Sequence, residues 1–520
     1  MKRHALALLI VAASACLPAR ATWRYRLTLC DKVGAVPVAL SERAQARRQA
    51  QGIAPDSLDL GLAPQYVDAL RQAGLVEVTR SRWMNTIVVQ RPDGAQVPDS
   101  VWSRFPFVAE RLVVSRTQTF VAAPTAPTAD GPAAPSPADA GARPAKFGTT
   151  HPIAPAERLP LETFRTPVLE VQGEALLAAG HRGAGMLIAV LDAGFRNVDK
   201  RSHLHRNVVG WRDMYRTAPT DSTYIYGGVA DAHGAECLSV LAADSASGVW
   251  GSAPDAHYFL VRTEYVLSET PLEEDMWIAG AELADSIGAD LISSSLGYYE
   301  FDVPGTDYTQ AQLATGQAFI TRGAEAAASR GLIVVVAAGN EGNSLWNALD
   351  FPADAPHVLA VGATTPQRTV ASFSSPGFLA PWVKPDVVCR GQDAYVINTS
   401  TGQPMLGNGT SYATPLMCGL VASLWSAAPA LSAAQVCDIV RRSAHRYATP
   451  DVRFGYGLPN FRTALAEALE LQATLGLRPA DADAAPDADA CYDLTGRRLA
   501  APPARGAYIH RGRLVFRTGR

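Results

Sequence analysis

The sequence predicts an α/β protein, a parallel β-sheet flanked by helices, preceded by a small α+β unit. Three observations predict it. From about 151 to 472 apolar runs alternate with helical segments, and several runs are almost continuously hydrophobic, as strands covered on both faces are. Residues 22–116 carry shorter, alternating runs in the order β-α-β-β-α-β. Polar residues of chemical interest cluster at the carboxyl ends of the long apolar runs, where open α/β sheets form their clefts.

Composition bounds the answer. A chain of 520 residues leaves room for two or three domains, and 48% hydrophobic against 18% charged residues suits a large buried core. A formal charge of −3 supplies neither a basic field for nucleic acid nor a polybasic membrane patch. The seven cysteines are scattered without C-x-x-C spacing, so neither zinc nor a disulfide scaffold is indicated.

Taken in order, residues 1–21 read as a signal peptide: Lys2-Arg3, an apolar stretch from Ala5 to Ala15, and the A-x-A site Ala19-Arg20-Ala21. Ala13-Ser14-Ala15-Cys16 offers a lipoprotein-type alternative. Either implies a secreted or cell-surface protein. Within 22–116, strands are expected at Trp23–Leu29, Val76–Thr79, Trp83–Gln90 and Phe107–Val114. Helices are expected at Ser41–Gln51, with Ser41 as N-cap, at Ala63–Ala73, and briefly near Val101-Trp102. This is the ferredoxin-like order. Residues 117–150 are a Pro/Ala-rich linker, exposed and cleavable.

The domain at 151–472 has candidate strands at Met186–Leu191, His257–Val261, Leu291–Leu296, Leu332–Ala337 and Val358–Val361. An Ala/Asp-rich linker follows at 473–490. The tail at 491–520 offers two or three small strands, too few for a core, and suggests an address label.

The chemistry is carried by three distant segments. Asp192 ends the first long strand, His233-Gly234 opens a helical stretch, and Gly409-Thr410-Ser411-Tyr412-Ala413 opens a longer, apolar one. Serine hydroxyl is a poor nucleophile until a base accepts its proton, and the base needs an orienting carboxylate. Asn340, closing Leu332–Gly339, stands where an oxyanion donor is wanted. Pro415 is expected in the first turn of the Ser411 helix, where its missing N–H costs nothing. Taken singly, Gly-Thr-Ser could be an N-cap, His233 a helix-start residue and Asp192 a turn carboxylate. His203 and His205 lack a third ligand, so no metal is assigned. The serines at 293–295, 372, 374 and 375 do not precede a buried helix with glycine two residues before them. The motifs in this order point to a serine hydrolase site.

These motifs, with Ser295-Leu296-Gly297, Val361-Gly362-Ala363, Ala371–Ser375 and Lys384–Val387, make residues 185–470 resemble a subtilisin-like serine peptidase of the subtilase family. The resemblance implies a subtilisin-like sheet, Asp192 orienting the base, His233 as general base and acid, Ser411 as nucleophile, and Asn340 with the Ser411 N–H as oxyanion hole. It implies that Ser295-Leu296-Gly297 pair with substrate backbone and that Ala337-Ala338-Gly339 line the pocket for the residue before the scissile bond. Ala193, Ala235 and Tyr412 stand where the family usually has Ser or Thr, Thr, and Met; none removes a catalytic atom. The stretch Trp23–Gly52 is similar to propeptides of Bacteroidetes subtilases. Tyr492–Arg498 resembles the end of sorting domains read by the type IX secretion system.

The function expected is a secreted serine endopeptidase made as a zymogen. Its partners would be protein or peptide substrates, its own propeptide and, through the tail, secretion machinery, with no nucleic acid. No cofactor is expected; structural calcium is possible by family analogy, without assigned ligands. The alternative is an inactive subtilase that binds peptides at the surface.

Overall fold

The structure, a computed structural model, describes residues 21–118, 147–153, 165–475 except 217–220, 229 and 245–249, and parts of 491–517. The expected signal segment and most of both linkers lie outside the described residues. The chain divides into two compact units, Met1–Ala468 and Leu469–Arg520.

In the larger unit, β1 (Ala21–Leu29), β2 (Val76–Ser81), β3 (Thr86–Gln90) and β4 (Val108–Gln118) form an antiparallel sheet in the order β2-β3-β1-β4. Helices Glu42–Ala50 and Pro64–Gln72 join β1 to β2, and a single turn, Asp99–Trp102, precedes β4. Ser41 caps the first helix, accepting from the Ala44 N–H at 3.1 Å. The expected ferredoxin-like order is therefore present. The third strand starts later than its apolar pattern suggested, because Arg82–Asn85 form the turn out of β2.

Strand periodicity gives this small sheet two working faces. Tyr25, Leu27 and Leu29 of β1 pack with Val67, Leu70, Ile87 and Val89 into the unit's own core. The intervening Arg26 faces the other way, where Val88 and Val114 meet Leu272 and Met276 of helix Pro271–Ile287. Arg26 forks onto Asp275 with two 2.8 Å bonds and lies 3.4 Å over the Phe319 ring. Asp285, near the end of the same helix, accepts from Arg47 (2.5 Å), Arg48 (2.6 Å) and Arg82 (2.8 Å), all buried. Ser81 and the Trp83 N–H donate to Glu282.

Beyond it come β5 (Thr149–Pro152), β6 (Leu187–Asp192), β7 (Val208–Asp213), β8 (His257–Arg262), β9 (Leu291–Ser294), β10 (Ile333–Ala337), β11 (Leu359–Thr364) and β12 (Val387–Arg390). The last seven form one sheet, ordered β12-β11-β10-β9-β6-β8-β7, with every pair parallel. All residues of β6, β9, β10, β11 and β12 are buried, which is why β6, β10 and β11 read as near-continuous apolar runs, whereas β9 buries two serines and β12 ends on Arg390. Strands β7 and β12 were not among the expected ones. Only Asp213 of β7 is buried, and β12 is only four residues long, so neither leaves a long apolar run. The strand expected at Leu291–Leu296 stops at Ser294.

A hairpin of β13 (Ala394–Asn398) and β14 (Gln403–Asn408) takes β5 as a third, antiparallel strand. Leu469–Arg520 contains β15 (Cys491–Tyr492), β16 (Arg498–Leu499), β17 (Gly506–His510) and β18 (Arg513–Arg517) in an antiparallel sheet ordered β16-β15-β17-β18. No described helix is long and apolar enough to cross a membrane.

Candidate active site

One strand end and two helix starts deliver the candidate residues. Asp192 is the last residue of β6, His233 the first of helix His233–Ala242, and Ser411 the second of helix Thr410–Ala427. All three are buried. The Asp231 side chain accepts the His233 N–H at 2.7 Å, fixing the start of that helix. A methyl group on Gly234 would lie 2.5 Å from the Gly194 carbonyl oxygen and 2.8 Å from Asp192 Cβ. Only glycine lets the helix approach the strand end this closely.

Asp192 Oδ1 accepts from its neighbour's N–H, Ala193, at 2.7 Å and faces His233 Nδ1 at 2.8 Å. An ionised carboxylate only accepts, so Nδ1 carries the proton and Nε2 is left as the basic atom of the neutral ring. Burial by itself would press the imidazolium pKa down. The Asp192 charge first, with Cys237 second, more than reverses this and holds it well above its ordinary value. Cys237, one turn on, stays a neutral thiol at ordinary pH, since burial pushes its pKa up to about 11.

Pro415 is not in the first turn as the sequence suggested; it is the sixth residue of its helix. Its missing N–H is the one that would have bonded back to the Ser411 carbonyl. That carbonyl is satisfied from outside the helix, by Ser295 Oγ at 2.7 Å and Cys237 Sγ at 3.4 Å. The proline thus frees a backbone acceptor at the serine, and two side chains from other elements hold it in place. Ser295 thus holds the serine's backbone with its hydroxyl, which leaves its own backbone free for the substrate pairing expected of Ser295-Leu296-Gly297.

Asn340 follows β10 by three residues. Its Oδ1 accepts from the Thr410 N–H at 2.9 Å and the Thr410 hydroxyl at 3.0 Å. A backbone N–H can only donate, so the atom facing it is the oxygen, and the amide NH₂ is turned away from Thr410 as a donor. Leu296, Ala337 and Ala338 are buried, and Gly339 has φ +107°, a conformation that side chains rarely adopt.

Sequence reasoning missed one further pair. Tyr412, next to the serine, donates its hydroxyl to Glu236 at 2.8 Å and so ties the two helices together. Burial raises the Glu236 carboxyl to about 7, although the His233 charge and the Tyr412 bond pull the other way. A tyrosine in place of the family's usual methionine was the available signal; its partner was not, because 176 positions separate them.

The profile of the subtilase family matches residues 183–457. The chain belongs to the subtilase family. It is therefore placed among subtilisin-type serine peptidases, which are hydrolases, and the profile of the Bacteroidota peptidase S8 propeptide domain matches residues 27–128. Subtilisin E of Bacillus subtilis (strain 168) is 30% identical over 300 residues, covering 57% of this chain and 70% of that protein. The subtilisin of Bacillus pumilus is also 30% identical over 300 residues, covering 57% and 97%. A solved structure, the self-cleaved protease domain of PatA, aligns at 21% identity with a TM-score of 0.43, over 55% of this chain and 98% of that one.

Proposed function

We propose that this subtilase is a secreted serine endopeptidase made as a zymogen, with Asp192, His233 and Ser411 as its triad. The observation that carries the reading is the buried 2.8 Å Asp192–His233 contact, one helical turn from a thiol that touches the Ser411 carbonyl. His233 Nε2 takes the Ser411 proton as Oγ attacks a peptide carbonyl, then returns it to the leaving amine; water hydrolyses the acyl-enzyme by the same route. Asn340, its amide oriented by Thr410, donates to the oxyanion. Every proton and electron pair is accounted for by these side chains and water, so no cofactor is required for the hydrolysis.

The zymogen part rests on the propeptide match and on the ion-paired seat of β1–β4 against helix Pro271–Ile287. Export rests on the charged, apolar and A-x-A pattern of residues 1–21, and the sorting role of the tail on Tyr492–Arg498. No observation gives the binding-only alternative comparable support.

A fluorophosphonate probe tests the reading: Ser411 should be labelled in the wild type and not in Ser411→Ala. Absence of labelling in folded, matured wild type would end it. Asn340→Leu should lose activity by on the order of 10²- to 10³-fold, the loss known for one such donor in a subtilisin. Wild-type turnover in that variant would remove Asn340 from its role.

A further inference from the structure

Three stretches of chain converge beside Asn340. Tyr298 and Phe351 exchange backbone hydrogen bonds, 2.9 and 3.0 Å, and the Asp350 N–H donates to the Ala338 carbonyl at 3.1 Å. Asp350 is thereby wedged between two glycines. A methyl on Gly297 would lie 2.5 Å from Asp350 Cβ, and one on Gly339 would lie 2.6 Å from its Cγ and Oδ2. Gly297 belongs to the segment expected to pair with substrate backbone, and Gly339 to the one expected to line the pocket for the residue before the scissile bond.

Asp350 and Glu341 are 8% and 7% exposed, and Asp350 Oδ1 and Glu341 Oε2 have no hydrogen-bond partner among the described residues. The charged groups that act most on Asp350 are themselves acidic, Glu341 and Glu269. Burial first, and these neighbours second, hold its carboxyl well above the ordinary range. Buried acids facing acids are costly unless something cationic joins them. No cationic side chain ranks among the groups acting on Asp350, so the pocket suits a cation brought in by a ligand beside Asn340.

A second observation concerns the chain itself. β5 runs antiparallel to β14, with Thr149 opposite Asn408, and β14 leads directly into Gly409-Thr410-Ser411. Followed backwards, β5 therefore arrives at the serine. A methyl on Gly409 would lie 2.8 Å from Gly148 Cα, and the Phe147 ring stacks on the His233 ring, centroids 4.5 Å apart at 29°. Residues after Phe147 run away from the serine, which points to the peptide bond on the amino side of Phe147 as the one to be cut. The Phe147 nitrogen is then the leaving amine, beside the imidazole that must protonate it. In the sequence the residue before Phe147 is Lys146.

We propose that Asp350 and Glu341 make this pocket select a basic side chain, lysine or arginine, before the scissile bond, and that the first bond so selected is the chain's own, between Lys146 and Phe147. The inference rests on the peptidase reading above. In the step, Ser411 Oγ bonds to the Lys146 carbonyl carbon and its proton passes to His233. The C–N bond breaks, the proton moves to the Phe147 nitrogen, and water releases the acyl group as a carboxylate. Phe147–Pro152 then remain as a strand on the leaving-group side of the cleft until displaced.

The test has two arms, both on the full-length chain allowed to mature. Peptides differing only at the residue before the scissile bond should show kcat/KM for lysine or arginine about 100-fold or more above leucine or phenylalanine, and Asp350→Asn should cut that ratio about 10-fold or more. A wild-type preference for apolar side chains, or an unchanged ratio in Asp350→Asn, overturns the pocket assignment. Asp350→Glu, which keeps the charge, should retain part of the preference and guards against mere misfolding. Mass spectrometry of the mature amino terminus should find Phe147, and Lys146→Leu should slow its appearance; a different terminus overturns the cleavage site. Fluorophosphonate labelling separates the two levels of failure. Labelled enzyme without lysine preference refutes this inference alone, whereas unlabelled, inactive enzyme refutes the peptidase reading beneath it.

Discussion

The Asp192 carboxylate does two jobs that a single substitution separates. It selects the tautomer with the proton on Nδ1, and its charge raises the His233 pKa against the opposing effect of burial. As the proposed base His233 must be neutral, so activity should fall as pH drops through that raised pKa. Asp192→Asn removes the raising charge and leaves burial, which lowers it. The acid limb of a kcat/KM profile should move to lower pH while kcat falls on the order of 10⁴-fold. An acid limb that stays put would show that Asp192 does not set this titration. Ser295 is the second residue-scale case. Ser295→Ala leaves the Ser411 carbonyl with only the weak thiol donor of Cys237. Thermal unfolding of the Ser411→Ala precursor carrying it should show a loss of about 1–3 kcal/mol.

At the scale of elements, helix Pro271–Ile287 is the seat of the N-terminal sheet. Its first turns meet β1 through Arg26, and its last turn gathers Arg47, Arg48 and Arg82 on one carboxylate. Breaking a buried pair from one side strands the remaining charges, at about 3–5 kcal/mol. Asp285→Asn in the Ser411→Ala precursor should therefore lower the denaturant midpoint at which the N-terminal sheet is released. Protection from an added protease along 22–116 would follow it down. Equal midpoints would mean that the arginines are paired elsewhere. Helix Thr410–Ala427 makes the complementary point. Its proline, placed in the second turn, leaves the Ser411 carbonyl to be held by Ser295 and Cys237 from other elements.

At the scale of the whole molecule, the precursor holds its N-terminal sheet on one helix and its own strand β5 in the cleft. A zymogen arranged in this way should mature by its own serine. Ser411→Ala should accumulate the uncut precursor on a gel while the wild type shortens, unless added active enzyme supplies the cut. Spontaneous shortening of purified Ser411→Ala would place the processing in another protein.

The sequence by itself determined what depends on short-range pattern. Near-continuous apolar runs marked the buried parallel strands β6, β10 and β11, because a strand covered on both faces has no polar side to show. Asp192, His233, Asn340 and Ser411 were legible as candidates because each stands within two positions of a glycine in a motif a few residues long. Tertiary structure alone decided what depends on distant partners. Strand β7 is mostly half-exposed and carries no pattern. The role of Pro415 turned on Ser295 and Cys237, residues 116 and 174 positions from Ser411. Asp350 carries no motif of its own, and only folding closes two glycines from separate strand ends around it. Periodicity records which face of an element is buried, but not which side chain will meet it there.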